Sequence, residues 1–235
     1  MTPRRTTADD ASAAAPDAGA GALEQGGSEL YWRLRQDVLD GRFPRGAPLL
    51  ETALATAYGT SRTPVREALN LLEHDGLLER AARGYRVRSG TPEDVVEIYE
   101  ARIALESEAA ASAALRRTDL DLARLRHQHD LIRDSGDERL VRAANFRFHE
   151  ALWQAGHNDT VTQLLVKLTA RLRIYDSGPP SPFGGAEELH AEHEDILRAI
   201  ADHDAEAARA AARGHLQRSL EQRIRSMVEG DGTPP

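Results

Sequence analysis

Strand-type alternation of apolar and polar residues is confined to one short stretch of this 235-residue chain, "LLERAARGYRVRS" at residues 77–89. Gly84 divides the stretch into two short halves, which is the pattern of a small β-hairpin. Elsewhere the apolar residues recur at intervals of three and four, as on one face of an α-helix. The chain is therefore predicted to be mainly α-helical, with its sheet limited to this hairpin.

The first predicted helix begins at Glu29 and is stopped by Gly41. Its apolar face consists of residues at helical spacing: Leu30, Leu34, Val38 and Leu39. The Pro/Gly-rich segment "RFPRGAPLL" connects it to a short second helix in "LLETALATAYG", which Gly59 closes.

The third predicted helix lies in "TSRTPVREALNLLEHDG", at residues 60–76. Ser61 is placed to cap its N-terminus, and Pro64 falls in the first turn, where a missing N–H costs little. Three helices followed by a hairpin form a winged helix-turn-helix, which we assign to residues 28–89.

The segments on either side of this domain differ in composition. Residues 1–27 are predicted to be a disordered tail, because they carry too little apolar surface to offset the entropy of ordering. Thr91 with Asp94 offers an N-cap for the next helix, and no strand signal follows it. Residues 90–230 are therefore predicted to form an all-α helical bundle. Its helices are predicted at residues 92–116, 118–134, 137–156, 159–175, 185–202 and 204–228.

The composition excludes several classes of protein. There is no cysteine, so disulfides and cysteine-ligated metal sites are excluded. No run of about 18 apolar residues could span a bilayer, and no apolar segment follows Arg4 and Arg5 as it would in a secretory signal. We therefore expect a cytoplasmic protein without a membrane partner.

The net charge of −8 does not exclude nucleic acid, because the charge is unevenly distributed. Residues 28–90 carry ten arginines against eight acidic residues, whereas residues 91–235 carry eighteen basic against twenty-six acidic residues. Salt screens charges beyond about 10 Å. The local excess of arginine therefore decides whether the winged domain can contact phosphate.

The start of the third predicted helix carries Arg62, Thr63 and Arg66, where a recognition helix presents side chains to the major groove. An arginine fork can donate two hydrogen bonds to guanine, and the hydroxyls of Ser61 and Thr63 suit phosphate oxygens. The hairpin adds a basic wing: Arg80, Arg83, Arg86 and Arg88. The alternative is a solvated face on which the arginines pair with acidic neighbours: Glu67, Glu73 and Glu79. Six arginines on one helix and its wing favour DNA binding.

The stretch from "YWRLRQDVLDG" through "SRTPVREAL" to "GLL" and "RGYRV", about residues 30–88, resembles the DNA-binding domain of GntR-family transcriptional regulators. The resemblance implies a homodimer that binds a short palindromic operator in double-stranded DNA. Thr52 departs from the arginine that many relatives have near the start of the second helix, and "PRG" at residues 44–46 departs from a common Pro-Gly pair. The DNA contacts that the resemblance implies are Ser61, Arg62, Thr63, Arg66, Arg83 and Gly84.

Three of the nine histidines have apolar helical neighbours: His149, His193 and His215. Asn145 precedes His149 by one helical turn, so both side chains project from one face. Histidines from three helices can converge inside a bundle, where three imidazoles and an oxygen suit Zn²⁺ or another borderline divalent ion. A packed core histidine is the alternative for each, and His157 and His190 could equally join such a site.

The segments "ARIALESEAAASAA", "NFRFHEAL", "EHEDILRAIADHDAEAA" and "HLQRSL" resemble the FCD effector domain of the FadR-type GntR branch. The resemblance implies a divalent metal, zinc first with nickel or manganese as alternatives, held by one acidic residue and three histidines. Asn145 stands where the family usually has aspartate, and a neutral amide should reduce the metal affinity. The residues at the corresponding positions are Asn145, His149, His193 and His215.

Two arginines are candidate contacts for an effector carboxylate. Arg102 matches the arginine on the first helix of the family's effector domain, and a salt bridge to Glu106 one turn on is the alternative. Arg171, on an apolar helix, is the second candidate.

These features predict a transcriptional regulator rather than an enzyme. The leading hypothesis is a repressor of metabolic genes, controlled by a small organic acid that binds the metal and Arg102. A metal-dependent hydrolase fused to a DNA-binding module is one alternative, but "HEALW" from His149 onward lacks the second histidine of an HExxH site. A ligand-independent dimeric DNA-binding protein is the other alternative.

Overall fold

A computed structural model describes residues 18–134, 137–175 and 185–230 of the chain. Helices dominate these ranges, and the sheet within them is a two-stranded antiparallel hairpin. The prediction of a mainly α-helical chain, with a winged helix-turn-helix ahead of a helical domain, is confirmed. In chain order the elements are α1 (Ala18–Leu39), α2 (Glu51–Ala57), α3 (Arg62–His74), β1 (Leu78–Arg80), β2 (Tyr85–Val87), α4 (Pro92–Arg116), α5 (Asp119–Asp134), α6 (Glu138–Ala155), α7 (Asp159–Tyr175), α8 (Ala186–Ala201) and α9 (Ala205–Gly230).

The winged helix-turn-helix is built from α1, α2, α3 and the hairpin. Helix α1 packs across α3, and the two helices bury Leu34, Leu69 and Leu72 completely. In the hairpin, Leu78 of β1 lies opposite Val87 of β2, and both side chains are buried. The same apolar spacing that predicted each element thus places its side chains in the core.

Gly84 occupies the turn of the hairpin with a φ of +71°, a conformation that L side chains rarely adopt. Leu49 and Tyr85 exchange two backbone hydrogen bonds of 2.6 and 3.0 Å, which brings the backbone of residue 49 beside the turn. A Cβ at position 84 would lie 2.3 Å from the carbonyl oxygen of Leu49. The wing therefore requires glycine at this position.

The two predicted helix caps have different outcomes. Ser61 is the N-cap of α3, but its side chain makes no capping hydrogen bond. Pro64 stands at the third helical position and has no N–H, which removes one of the two usual donors to a capping hydroxyl. Thr91 caps α4 as predicted and forms a reciprocal capping box with Asp94, with hydrogen bonds of 3.2 and 3.0 Å.

Helix α1 begins at Ala18 rather than at the predicted Glu29. Residues 18–27 of the predicted disordered tail are therefore helical, whereas residues 1–17 lie outside the described residues. A helix that is already nucleated gains one hydrogen bond for each residue it adds, and composition alone does not count this gain.

Helix α4 is central to the second domain, since α6, α7, α8 and α9 all pack against it. Its small side chains Ala110 and Ala113 are buried and let α9 approach closely through Ala208 and Ala212. Larger side chains fill the core between these helices: Phe148, Leu152, Trp153, Leu165, Ile196 and Ile200.

The predicted limits of the six helices of the second domain agree with the observed ones within two residues. Within the described residues, no helix has both the length and the apolar character needed to cross a bilayer.

The two domains share one core through α7. Ile174 and Tyr175 of α7 belong to the same buried cluster as the side chains of the winged domain. Arg45 donates a hydrogen bond of 2.7 Å to the carbonyl oxygen of Ile174, and Lys167 pairs with Asp75 at 2.9 Å. Helix α7 therefore holds the winged domain together with α4, whose Val95, Ile98 and Tyr99 belong to the same cluster.

Candidate functional site: DNA interface and histidine centre

The exposed start of α3 carries the arginines predicted to contact DNA, with Thr63 between them. Glu51 of α2 accepts hydrogen bonds of 2.9 Å from Arg66 through both carboxylate oxygens, and one of 3.2 Å from Arg62. These hydrogen bonds, that from Arg66 foremost, lower the pKa of Glu51 to about 2. One carboxylate thus orients both guanidinium groups, and each keeps further N–H donors for DNA.

The predicted alternative, in which arginines pair with acidic neighbours, holds for part of the wing. Arg80 pairs with Glu73 at 3.1 Å, and Arg86 pairs with Glu79 at 2.6 Å. Both pairs are exposed, and such pairs contribute little to stability, so they do not keep the wing from contacting phosphate. Arg83 is exposed next to the glycine at the hairpin turn.

His149, His193 and His215 meet in the interior of the helical domain, on α6, α8 and α9. All three are buried, and their ligand atoms lie within 4.8 Å of one another. The Nε2 atoms of His149 and His215 are 3.2 Å apart. In the part of the chain that the structure describes this is the one such cluster, and it does not include His157 or His190.

Two carboxylates orient these imidazoles. Glu106 lies 2.7 Å from Nδ1 of His149, and Glu192 lies 2.6 Å from Nδ1 of His215. Burial opposes the ionisation of Glu106 most strongly, but the charge of Arg102 and the hydrogen bonds from His149 and Trp153 outweigh it and lower its pKa. An ionised carboxylate only accepts hydrogen bonds, so each Nδ1 donates, and in the neutral imidazole each Nε2 then presents a lone pair to the centre.

The atoms around this centre match a cation-binding site. Burial, reinforced by the charges of His215 and His149, holds the pKa of His193 well below its usual value. The buried Oδ1 of Asn145 and both ring nitrogens of His193 have no hydrogen-bond partner among the described residues, which is unfavourable for buried polar atoms. Facing lone pairs also repel unless a cation lies between them. Three imidazoles and an amide oxygen are a donor set that a borderline divalent ion accepts.

A cavity of about 550 Å³ opens beside the histidine centre, a volume that suits a small organic molecule. Asn145, His149 and His215 line one part of it. The salt bridge predicted as the alternative for Arg102 is present, since its Nε donates a hydrogen bond of 2.7 Å to Glu106, and the same side chain also lines the cavity.

The second predicted effector contact, Arg171, is not among the described residues that line the cavity. Its side chain lies against Gly76 of the winged domain, where an added Cβ would be 3.1 Å from its Cδ. Arg173 lines the cavity instead, because residues two apart on a helix point in different directions. On α7 the arginine that lines the cavity is therefore Arg173 rather than the predicted Arg171.

Two groups of residues are missing from the sequence predictions. The first is the pair of carboxylates that orient the imidazoles, since the sequence predicts Glu106 only as a partner of Arg102 and predicts no role for Glu192. The second group is a set of arginines on α6 and α7, for which a partial signal exists: Arg142, Asn145 and His149 follow one another at intervals of three and four. We call this set the arginine rim of the cavity: Arg139, Arg142, Arg147 and Arg173.

A winged helix-turn-helix with exposed arginines, joined to a helical domain that contains a cavity, defines a DNA-binding regulator with a separate second domain. Residues 27–86 match the family described as "Bacterial regulatory proteins, gntR family", and residues 97–218 match the FCD domain. The chain belongs to the gntR family of bacterial regulatory proteins, and its second domain is an FCD domain. Both resemblances predicted from the sequence are confirmed.

Named relatives support the same assignment. The HTH-type transcriptional regulator YdhC of Bacillus subtilis (strain 168) is 30% identical over 207 residues, which cover 86% of this chain and 92% of the relative. The "Probable D-xylose utilization operon transcriptional repressor" of Paenarthrobacter nicotinovorans is 31% identical over 188 residues, which cover 77% of this chain and 80% of that protein. The crystal structure of a GntR transcriptional regulator from Rhodococcus sp. RHA1 is 27% identical, with a TM-score of 0.68 over 86% of this chain and 99% of that chain. The protein is therefore a DNA-binding transcriptional regulator.

Proposed function

We propose that this protein is a homodimeric repressor of metabolic genes that binds a palindromic operator and is controlled by a small carboxylate effector. The effector binds together with a divalent metal in the FCD domain. The observation that carries this proposal is the histidine centre beside the cavity, where two carboxylate-oriented imidazoles present their Nε2 atoms 3.2 Å apart. Repression is inferred from the relative whose name describes a repressor.

The metal is assigned to the histidine centre, with zinc first and nickel or manganese as alternatives. When bound, it supplies a Lewis-acid contact for an effector carboxylate. Glu106 and Glu192 keep the imidazoles in the tautomer that a metal requires, and the neutral amide of Asn145 weakens the site relative to an aspartate. The proposed ligands are Asn145, His149, His193 and His215.

The DNA contacts are assigned to the start of α3 and to the wing tip. Glu51 supports this assignment, since it holds Arg62 and Arg66 on the exposed end of the helix. Two oriented arginine forks suit the acceptors of guanine in the major groove. The proposed contacts are Ser61, Arg62, Thr63, Arg66, Arg83 and Gly84.

Helix α7 offers a physical connection between effector and DNA. Thr169, Leu172 and Arg173 line the cavity, whereas Ile174 and Tyr175 belong to the core shared with the winged domain. A ligand that displaces α7 therefore displaces the winged domain, and in a dimer this changes the spacing of the two recognition helices. For such a change to control DNA binding, the ligand must bind the two arrangements with different affinity.

The test is DNA affinity at fixed salt, measured with and without small organic acids on zinc-loaded and on chelated protein. We expect at least one acid to change the affinity, and we expect the change to be lost on chelation and in His193→Ala. His127→Ala, which replaces an exposed histidine of α5, is the matched control. If no acid changes the affinity and the chelated protein behaves identically, ligand control is rejected and a ligand-independent dimer remains.

A further inference from the structure

The cavity has a buried end, where the histidine centre would hold the metal, and an exposed end lined by arginines. The buried end carries Arg102 and the histidine centre. The exposed end carries the arginine rim, in which Arg139, Arg147 and Arg173 are exposed to solvent. With the proposed metal in place, a ligand that fills the cavity would meet positive charge at both ends.

The acidic residues near the cavity do not cancel the positive charge of the arginine rim. Arg102 is paired with Glu106 at 2.7 Å, so that carboxylate is committed to the buried end. Among the described residues that line the cavity Glu150 is the one acid, against the four arginines of the rim. Arg173 pairs with Asp40 at 3.5 Å, but this pair is exposed and weak. The rim keeps an excess of positive charge.

The donor set of the centre adds to the excess. None of the proposed donors, three neutral imidazoles and the amide of Asn145, carries a negative charge, so the centre with a divalent ion would hold one positive charge more than it would with an aspartate at position 145. A cleft lined by one sign of charge, with low-dielectric walls, concentrates the field on a bound ion. An effector with one carboxylate would satisfy only one end.

We infer that the effector is a small acid with two anionic groups, a carboxylate at the histidine centre and a second carboxylate or a phosphate at the arginine rim. This inference deepens the proposed function and rests on it. Arg147 lies on α6 and Arg173 lies on α7. An anion that binds both arginines joins α6 to the helix that holds the winged domain.

Isothermal titration calorimetry at constant ionic strength, on the zinc-loaded full chain, tests the inference with three probes. Succinate has two carboxylates, succinamate replaces one of them by an amide of similar size, and 2-phosphoglycolate has one carboxylate and one phosphate. We expect a two-anion probe to bind about tenfold or more tightly than succinamate, and the tighter of the two identifies the second group. In Arg147→Gln and Arg173→Gln the preference should fall to about threefold or less.

Arg198→Gln is the matched control, because this exposed arginine of α8 pairs with Asp195 and does not line the cavity. It should keep the full preference, and circular dichroism verifies that every variant is folded. The inference is overturned if the three probes do not differ, whether they bind or not, or if both rim variants keep the full preference.

The failure of this inference is distinguishable from the failure of the proposed function, because calorimetry involves no DNA. An acid with a single anionic group that changes operator affinity would overturn the inference and keep the function. A preference for two-anion probes without any effect on DNA binding would support the inference and overturn the proposed function.

Discussion

The DNA interface and the histidine centre both rely on a glutamate that holds basic side chains, but they do so at opposite depths. At the interface, Arg62 and Arg66 are 61% and 56% exposed while they pair with Glu51. In the centre, Arg102 and Glu106 are 8% and 2% exposed. An exposed pair can exchange its partner for phosphate at little cost. A buried pair that loses one partner leaves an uncompensated charge. Burial therefore distinguishes the two kinds of ion pair. The exposed pairs can be exchanged for contacts with DNA, whereas the buried pair stabilises the fold of the helical domain.

The largest effect that would test this contrast is expected from Glu106→Gln. Arg102 and His149 would lose their ionised partner in the interior, and the free energy of unfolding should fall by about 3–5 kcal/mol. Urea unfolding of the chelated protein measures this change. Glu108→Gln on the same helix is the control, because its exposed carboxylate pairs with Arg209 and its loss should cost less than about 1 kcal/mol. Similar losses in both variants would contradict the role of depth.

The exposed side of the comparison is tested by Arg62→Ala. The variant should lose about 1–3 kcal/mol of binding free energy at its preferred site and should accept more bases at one position. Stability should not change, since Glu51 keeps Arg66 as a partner. Competition between an operator selected from random DNA and unrelated DNA, at one salt concentration, measures both quantities. Arg126→Ala on α5 is the control, and unchanged base preference in Arg62→Ala would remove this arginine from base recognition.

The helices and the three histidines could be predicted from the sequence, whereas the partners of these histidines could not. Apolar spacing within one helix is a local property of the sequence. The apolar neighbours of His149, His193 and His215 indicate that these side chains are buried. Glu106 and Glu192 stand on other helices than the histidines they orient, so only the packing of α4 and α8 brings each pair together. The local sequence around a helical glutamate does not show whether its carboxylate is buried or exposed.

The contact on α7 shows the same limit at smaller scale. Arg171 and Arg173 have similar neighbours in the sequence, and the two residues differ only in the direction of their side chains. That direction depends on the winged domain, which packs on α7 through Ile174 and Tyr175 and so fixes which face remains for the cavity. Packing between domains is not encoded in the periodicity of one helix.

The buried histidines make the stability of the chelated protein depend on pH. Burial lowers the pKa of His193, His215 and His129 in the folded state, whereas the unfolded chain has the ordinary value of 6.5. Below that pH the unfolded chain binds protons that the folded protein does not. The free energy of unfolding should therefore fall as the pH decreases, by up to about 1.4 kcal/mol per pH unit for each histidine. Glu106 does not contribute in this window, because its folded pKa is lowered and its share is lost only below 4.5.

Urea unfolding at a series of pH values between about 8 and 5 measures this slope across the titration range of histidine. His193→Phe conserves a flat ring against Phe148, on which His193 stacks with 4.1 Å between ring centroids. This variant should reduce the slope by the share of one histidine. An unchanged slope would assign the pH dependence to other groups and would weaken the assignment of neutral imidazoles in the centre.

The smallest effect on stability is expected at the ion pair between Arg173 of α7 and Asp40 of the winged domain. Both side chains are exposed, at 39% and 56%. Asp40→Asn should change the free energy of unfolding by less than about 1 kcal/mol. It should nevertheless tighten the binding of succinate by about twofold to fivefold, because Asp40 no longer competes for the guanidinium of Arg173.

The matched control for this variant is Asp195→Asn, which removes another exposed carboxylate from an arginine pair, on α8 and away from the cavity. Calorimetry with succinate on the parent chain and both variants separates two cases. If Asp40→Asn binds succinate as the control does, the winged domain and the cavity do not share Arg173. If it binds more tightly, the effector and the DNA-binding domain compete for one guanidinium, and linkage requires that the effector weaken the contact between the domains by the same factor.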